Sequence, residues 1–291
     1  MQHHPALQAG RVAVITGAAG GIGLAAAERF AAMGLRLCLA DLSAEALEAV
    51  AARIAAVSPL GRAGVLAVPT DVSRLEQVQA LKDAAYAAFG EVGLLMNNAG
   101  TSPGGGPFEH IDRWRRVLEV NLWGVIHGVQ VFTPAMLAQG TGCAIVNTGS
   151  KQGITSPPGD TAYNVSKAGV KVLTEGLAHS LRNTEGGRIS AHLLIPGSTF
   201  TGMTSRGRTE KPAGAWTPEQ VVDLLVAGME AGDFYILCPD NEVTPAIDHR
   251  RILWAAQDIT QNRPALSRWH PDHADAFAAF LKAGDDPARQ G

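Results

Sequence analysis

This sequence predicts a doubly wound α/β fold built on a parallel sheet, and three observations predict it. Short runs rich in Val, Ile and Leu alternate with segments of helical periodicity, the pattern of parallel strands joined by crossover helices. A glycine cluster lies at the first junction between such a run and the helix after it. No internal repeat or low-complexity linker splits the 291 residues, and a chain of that length buries a core without disulfides or a metal. The expected sheet is Rossmann-like, with seven strands in the order 3-2-1-4-5-6-7 and helices on both faces.

The elements follow in order. Arg11 to Thr16 is the first strand; Ile22, Ala26, Phe30 and Met33 then recur at helical spacing until Gly34 stops them. Leu35 to Ala40 is the second strand, after which Ser43 opens a helix carrying Leu47, Val50 and Ile54. Val65 to Val68 is the third. Ser73 and Glu76 have capping-box spacing ahead of Leu75, Val78, Leu81 and Phe89. Leu94 to Met96 forms the fourth strand, and one long helix is expected from about Asp112 through Val129. Ala144 to Val146 is the fifth, Tyr163 to Leu181 is helical, and Ile189 to Ile195 is the sixth. Thr217-Pro218-Glu219-Gln220 combines an N-cap, a proline at the first helical position and a capping-box glutamine. The helix it opens leads to a seventh strand, Phe234 to Leu237. We expect one domain over residues 1–238 and an extension over 239–291.

Composition narrows the function classes. The formal net charge is −3, from 24 basic and 27 acidic residues, so no broad positive field is present for nucleic acid or an anionic membrane. Arg113, Arg115 and Arg116 flank Trp114, which reads as an interface or solvated face rather than an RNA site. No apolar run approaches membrane-spanning length, and the N-terminus lacks a charged-then-apolar signal pattern. Cys38, Cys143 and Cys238 are odd in number and each sits in an apolar run, which suits buried, reduced thiols and a cytoplasmic location. His270, Asp272 and His273 cluster near a proline but offer too few converging ligands, so no metal is expected.

The first strand runs into Thr16-Gly17-Ala18-Ala19-Gly20-Gly21-Ile22-Gly23. Glycines there permit a tight turn, close approach of a diphosphate and packing of helix on sheet, while the helix N-terminus offers free N–H groups to phosphate. Asp41 ends the second strand, 18 residues after Gly23, where a carboxylate can take both adenosine ribose hydroxyls. The alternative is an acid that merely serves the next helix N-terminus. With the glycine loop in register the ribose reading is preferred. A carboxylate there repels a 2′-phosphate, and Ala18 and Ala19 supply no cation, so NAD is expected over NADP.

Further along come Asp71-Val72, Asn97-Asn98-Ala99-Gly100, Asn121, Ser150, Tyr163-Asn164-Val165-Ser166-Lys167 and Pro196-Gly197, with Tyr163 13 residues after Ser150. On these motifs, over about residues 10 to 238, the chain resembles the short-chain dehydrogenase/reductase superfamily, NAD-preferring branch. The resemblance implies hydride transfer between NAD(H) and a secondary alcohol or ketone, by a homodimer or homotetramer. Tyr163 and Lys167 are four apart on a predicted helix and share a face. A free tyrosine titrates near 10, so a nearby ammonium and a positive nicotinamide are expected to pull the phenol down until it serves as general acid or base. Ser150 would bond and orient the same substrate oxygen.

The resemblance also implies that Lys167 bonds the nicotinamide ribose and that Asn121 holds a water linking Lys167 to solvent; a polar kink before Gly124 is the alternative for Asn121. By the same likeness Gly17, Gly21, Ile22 and Gly23 hold the diphosphate and Asp71 and Val72 meet the adenine. Asn98, Ala99 and Gly100 line its ribose, while Asn97 ties adjacent strands. Pro196, Gly197, Thr199 and Thr201 would clasp the nicotinamide. Departures from the family pattern are the Thr148-Gly149-Ser150 triplet, in place of paired serines, and Lys151-Gln152 after it. A catalytically silent NAD-binding sensor and an epimerase or dehydratase are the competing readings; the complete Ser150, Tyr163 and Lys167 set counts against the sensor.

The substrate side is open. Phe200 to Trp216 is the expected lid, with Arg206, Arg208 and Lys211 either receiving an anionic substrate or simply solvated. Met203 and Trp216 either line an apolar pocket or serve a hinge or the core, and Lys151 either meets substrate or points outward. In the extension, Ile247, Trp254 and Ile259 suggest a helix that buries an aromatic face, on a neighbouring subunit or on its own domain.

Overall fold

The computed structural model describes residues 4–205 and 207–283. Strands β1 (Val12–Thr16), β2 (Arg36–Asp41), β3 (Val65–Pro69), β4 (Leu94–Asn97), β5 (Cys143–Thr148), β6 (Ile189–Ile195) and β7 (Tyr235–Leu237) form one sheet. Their order is β3-β2-β1-β4-β5-β6-β7 and every pairing is parallel, as the sequence predicts. Alternation along each strand divides the core between the two faces. Ala13, Ile15, Leu37 and Leu39 point into one layer, and Val14, Cys38 and Ala40 into the other. The first layer receives helices α1 (Gly21–Ala32) and α2 (Ala44–Val57), through Phe30, Leu47 and Ile54. The second receives α3 (Leu75–Phe89), through Val78 and Leu81.

Two departures from expectation concern helix chemistry. Ser43 caps α2 as foreseen, its side chain accepting the Ala46 N–H. Ser73 caps nothing: its hydroxyl donates to Asp71 Oδ1 at 2.7 Å, so the 73–76 capping box does not form and α3 starts two residues later. The long helix is three pieces, α4 (Ile111–Leu118), a π turn (Glu119–Trp123) and α5 (Gly124–Ala138), and it runs past Val129 despite Pro134. The π turn inserts one residue where Asn121 must turn its amide inward.

After β5 come the single-turn α6 (Gln152–Thr155) and the 22-residue α7 (Thr161–Arg182), capped by Asp160. After β6 come the short α8 (Gly202–Ser205) and α9 (Pro218–Ala231), which carries the foreseen capping box of Thr217 and Gln220. The segment after β7 holds α10 (Pro245–Thr260) and α11 (Ala274–Lys282). Trp254 is buried among Phe277, Phe280 and the Arg263 guanidinium stacked 3.8 Å from its ring. Ile259 instead faces solvent, since five residues past Trp254 is well over a third of a turn off that face. Within this chain α10 lies against α6 of its own domain. Among the described residues no helix is long and apolar enough to cross a membrane, and the three cysteines are free and buried.

A buried polar chain runs under the second layer. Asn97 Nδ2 donates to Asn147 Oδ1 at 2.9 Å across β4 and β5, the strand tie expected of Asn97, and Asn147 Nδ2 donates to Thr174 Oγ1 at 3.0 Å. Thr174→Val keeps the shape but leaves the Asn147 amide without its acceptor. We expect a loss of about 1–3 kcal/mol in urea unfolding, with near-native secondary structure.

Candidate active site

The carboxyl ends of the parallel strands open into a cleft of about 450 Å³. Thr16 ends β1, and Gly17 follows at φ +67°, where a Cβ would sit 2.8 Å from Ala99 Cα. The turn is thereby pressed against the end of β4, and Asn98 stitches it there, its Nδ2 donating to Thr16 O at 3.1 Å. Gly20 precedes α1 without any side-chain cap and nothing stands within 4 Å of where its Cβ would be. The first N–H groups of a 12-residue helix therefore face the cleft unspent by a cap, with the positive end of the helix dipole behind them. Gly17, Gly21 and Ile22 line this end. Gly23 does not: a Cβ there would meet Gly17 O at 2.1 Å, so it is a packing glycine that seats the helix on the turn.

Asp41 lines the cleft at the end of β2. Its carboxylate accepts the Ala19 N–H at 2.9 Å and the Leu42 N–H at 2.7 Å, which orients both oxygens while leaving lone pairs for a diol. Asp71 is oriented likewise by Ser73, and Val72, Asn98, Ala99 and Gly100 complete that wall. An uncapped helix terminus, open glycines and a carboxylate at the second strand end together fit a dinucleotide.

The opposite wall carries Ser150, Tyr163 and Lys167, with Pro196, Gly197, Thr199 and Thr201 beside them. Asp160 accepts the Tyr163 N–H at 3.2 Å and so starts α7 at the residue pair that matters. One turn on, Lys167 lies with its Nζ 5.7 Å from the Tyr163 ring centroid and donates to Thr148 O, at the end of β5, at 2.8 Å. In the chain by itself the phenol shifts upward. Burial raises Tyr163 above its ordinary value, the Ser150 hydrogen bond pulls it back, and Asp160 adds to the rise. Desolvation of a phenolate outweighs the hydrogen bond that favours it. The same burial pushes Lys167 down to about 8.

Asn121 is fully buried and does not line the cleft. Its Oδ1 accepts the Thr101 N–H at 2.7 Å, and its Nδ2 donates to Thr101 O at 3.0 Å and to Ser166 Oγ at 3.2 Å. Ser166 Oγ donates in turn to Tyr163 O at 2.7 Å. The side chain thus braces the Thr101 loop and the first turns of α7.

Several lining residues escaped the sequence reading. Thr148 and Gly149 follow from the end of β5, and Gly20 from the glycine turn. Arg116 and Val120 come from one face of the helix ahead of Asn121; their i, i+4 spacing was the available signal. Thr204 of α8 also lines the cleft, and so does Met203, one of the two roles the sequence offered for it, while Trp216 takes the other and packs on the core, its backbone N–H donating to Ser198 O. Lys211 donates to Ala215 O at 2.7 Å and Arg208 Nε to Ser205 O at 3.2 Å, so both basic groups are engaged within the lid. Arg206 lies outside the described residues. Among the described residues no group of three His, Cys, Asp or Glu side chains is placed to hold a metal ion.

A family model described as short chain dehydrogenase matches residues 11–212. The 1-deoxy-11-beta-hydroxypentalenate dehydrogenase of Streptomyces exfoliatus is 31% identical over 265 residues, spanning 89% of this chain and 94% of that protein. The 3beta-hydroxysteroid dehydrogenase 2 of Eggerthella lenta is 32% identical over 235 residues, 76% of this chain and 87% of that one. A crystal structure of a short chain dehydrogenase/reductase from Burkholderia phymatum in complex with NAD superposes with a TM-score of 0.79 at 38% identity, covering 91% of this chain and 98% of that chain.

The buried ammonium has a thermodynamic signature. Its value in the folded chain, about 8, lies below the ordinary 10.5, so between those pH values the unfolded chain binds the extra proton. Stability must then rise with pH across that window, by an amount on the order of 3 kcal/mol. Urea titrations from pH 7.5 to 10.5 are expected to show that rise in the wild type relative to Lys167→Met. Parallel curves would mean that the ammonium is not desolvated.

Proposed function

This chain belongs to the short-chain dehydrogenase family, and from that premise we propose that it moves a hydride between NAD(H) and a carbon bearing a secondary alcohol or ketone. One observation carries the reading: Ser150, Tyr163 and Lys167 converge on one wall of a cleft whose other wall holds the uncapped helix terminus and Asp41.

Bound NAD supplies the hydride acceptor, and NADH the donor. The chain's own groups do the rest. Tyr163 takes the hydroxyl proton in oxidation, or delivers one to the forming alkoxide in reduction. Ser150 donates to the substrate oxygen and holds it toward the phenol. Lys167, with its pKa brought to about 8, exchanges a proton near neutral pH and charges the wall when protonated. Its positive charge, reinforced by a cationic coenzyme, would offset the burial that otherwise holds the phenol neutral. Asn121 positions that turn of α7 through Ser166.

Asp41 supports NAD over NADP, because a carboxylate at the ribose accepts two hydroxyls and repels a phosphate. The same proposal places Gly17, Gly21 and Ile22 at the diphosphate, Asp71 and Val72 at the adenine, and Pro196, Gly197, Thr199 and Thr201 at the nicotinamide. Assembly as a homodimer or homotetramer is supported by Trp123, Val165 and Val172, large apolar side chains left exposed on the helices of one face. Buried free thiols support a cytoplasmic location.

A panel of secondary alcohols with NAD, followed by nicotinamide absorbance, tests the reaction; product formed without net NADH would indicate an epimerase or dehydratase. Tyr163→Phe is expected to cut turnover by about a thousandfold while NADH still binds by fluorescence titration. Near-normal rates would sink the acid–base assignment. Asp41→Ala is expected to shrink the NAD over NADP preference in kcat/KM by roughly ten- to a hundredfold; unchanged selectivity would remove Asp41 from the ribose.

A further inference from the structure

Lys151 directly follows Ser150, yet it neither enters the cleft nor reaches solvent. Its side chain is only 16% exposed, with Nζ 2.5 Å from Asp248 Oδ2 and 3.7 Å from Asp240 Oδ2. Both aspartates come from the segment after β7 and both are shielded, at 9% for Asp240 and 6% for Asp248.

This cluster touches the turns that form the substrate end. The Lys151 N–H donates to Pro196 O at 3.1 Å, joining the turn after β5 to the turn after β6. A Cβ on Gly197 would meet Lys151 Nζ at 2.9 Å and Asp240 Oδ2 at 3.0 Å, so the ion cluster fills the space behind that glycine. The same segment holds the base of the lid, since the Asn241 N–H donates to Gly214 O at 3.1 Å and its Nδ2 to Ala213 O at 2.7 Å. A buried ion pair is a weak source of stability, because desolvation offsets its attraction, but removing one partner strands the other charge, so the pair ties together the segments that bear it.

We propose that Lys151 is a positioning residue: gripped by Asp240 and Asp248, it makes the C-terminal segment a brace that sets the Ser150 turn against the 196–199 turn. The catalytic consequence rests on the oxidoreductase reading; the brace does not.

The test uses the full chain as Asp248→Asn, as Lys151→Arg, and as the pair Lys151→Met with Asp248→Leu, which removes both members of the closer ion pair together and leaves Asp240. Amide hydrogen exchange of the coenzyme-free protein reads the brace directly. Residues 149–153 and 196–199 are expected to exchange about tenfold faster in Asp248→Asn and in the pair, with β1 and β2 unchanged and Lys151→Arg close to wild type. In the same two variants kcat is expected to fall about tenfold, with KM for the alcohol within about twofold and Tm of the pair near wild type. Wild-type exchange across both turns in the pair would overturn the brace. Faster exchange with unchanged kcat would overturn the positioning role and leave a structural one. Absence of turnover by the wild type would count against the oxidoreductase reading alone, and the exchange data would then decide the brace.

Discussion

The site depends on one buried ammonium. Lys167 donates to Thr148 O at 2.8 Å and has no exposure to speak of, so a charge that prefers water is held at the end of β5 by a single carbonyl and by the packing around it. That position exists only because α7 is seated firmly. Asp160 caps its start, Asn121 and Ser166 tie its first turn to the Thr101 loop, and Val170 and Leu177 bury the face beyond. Burial lowers the lysine and raises the tyrosine, so in the chain alone the two values move apart and both side chains are pushed toward their neutral forms.

The two ends of the cleft are built on different physics. At the glycine turn, backbone N–H groups and a helix dipole offer a surface for anions at little cost in side-chain entropy. At the other end, side chains do the work, and each is braced by a neighbour: Asp160 for the start of α7, Asn121 for Ser166, Asp240 and Asp248 for Lys151. The extension is part of this second end, reaching it through α6, Gly197 and the base of the lid.

Much of this was legible beforehand where one residue type has one physical use. Glycines between a strand and a helix, an acid at the next strand end, and tyrosine four before lysine each limit the alternatives, and all of these face the cleft except Gly23. Its failure has a local cause: in the sequence a glycine that admits a phosphate and one that admits a neighbouring carbonyl look the same, and only the 2.1 Å approach to Gly17 O separates them. Ser73 was misread for a similar reason, because Asp71 two residues earlier competes for its hydroxyl. Asn121 was found, but what its amide does depends on a π turn that no periodicity announces.

The sequence alone determined the succession of strands and helices, the alternation that divides the two core faces, and the polar residues that fall at the strand ends, because period and turn chemistry are local rules. Only the tertiary structure decided which direction the two pKa values move, and that Lys151 faces the extension rather than the substrate. Both depend on desolvation and on contacts between residues up to about a hundred positions apart, which no local pattern encodes.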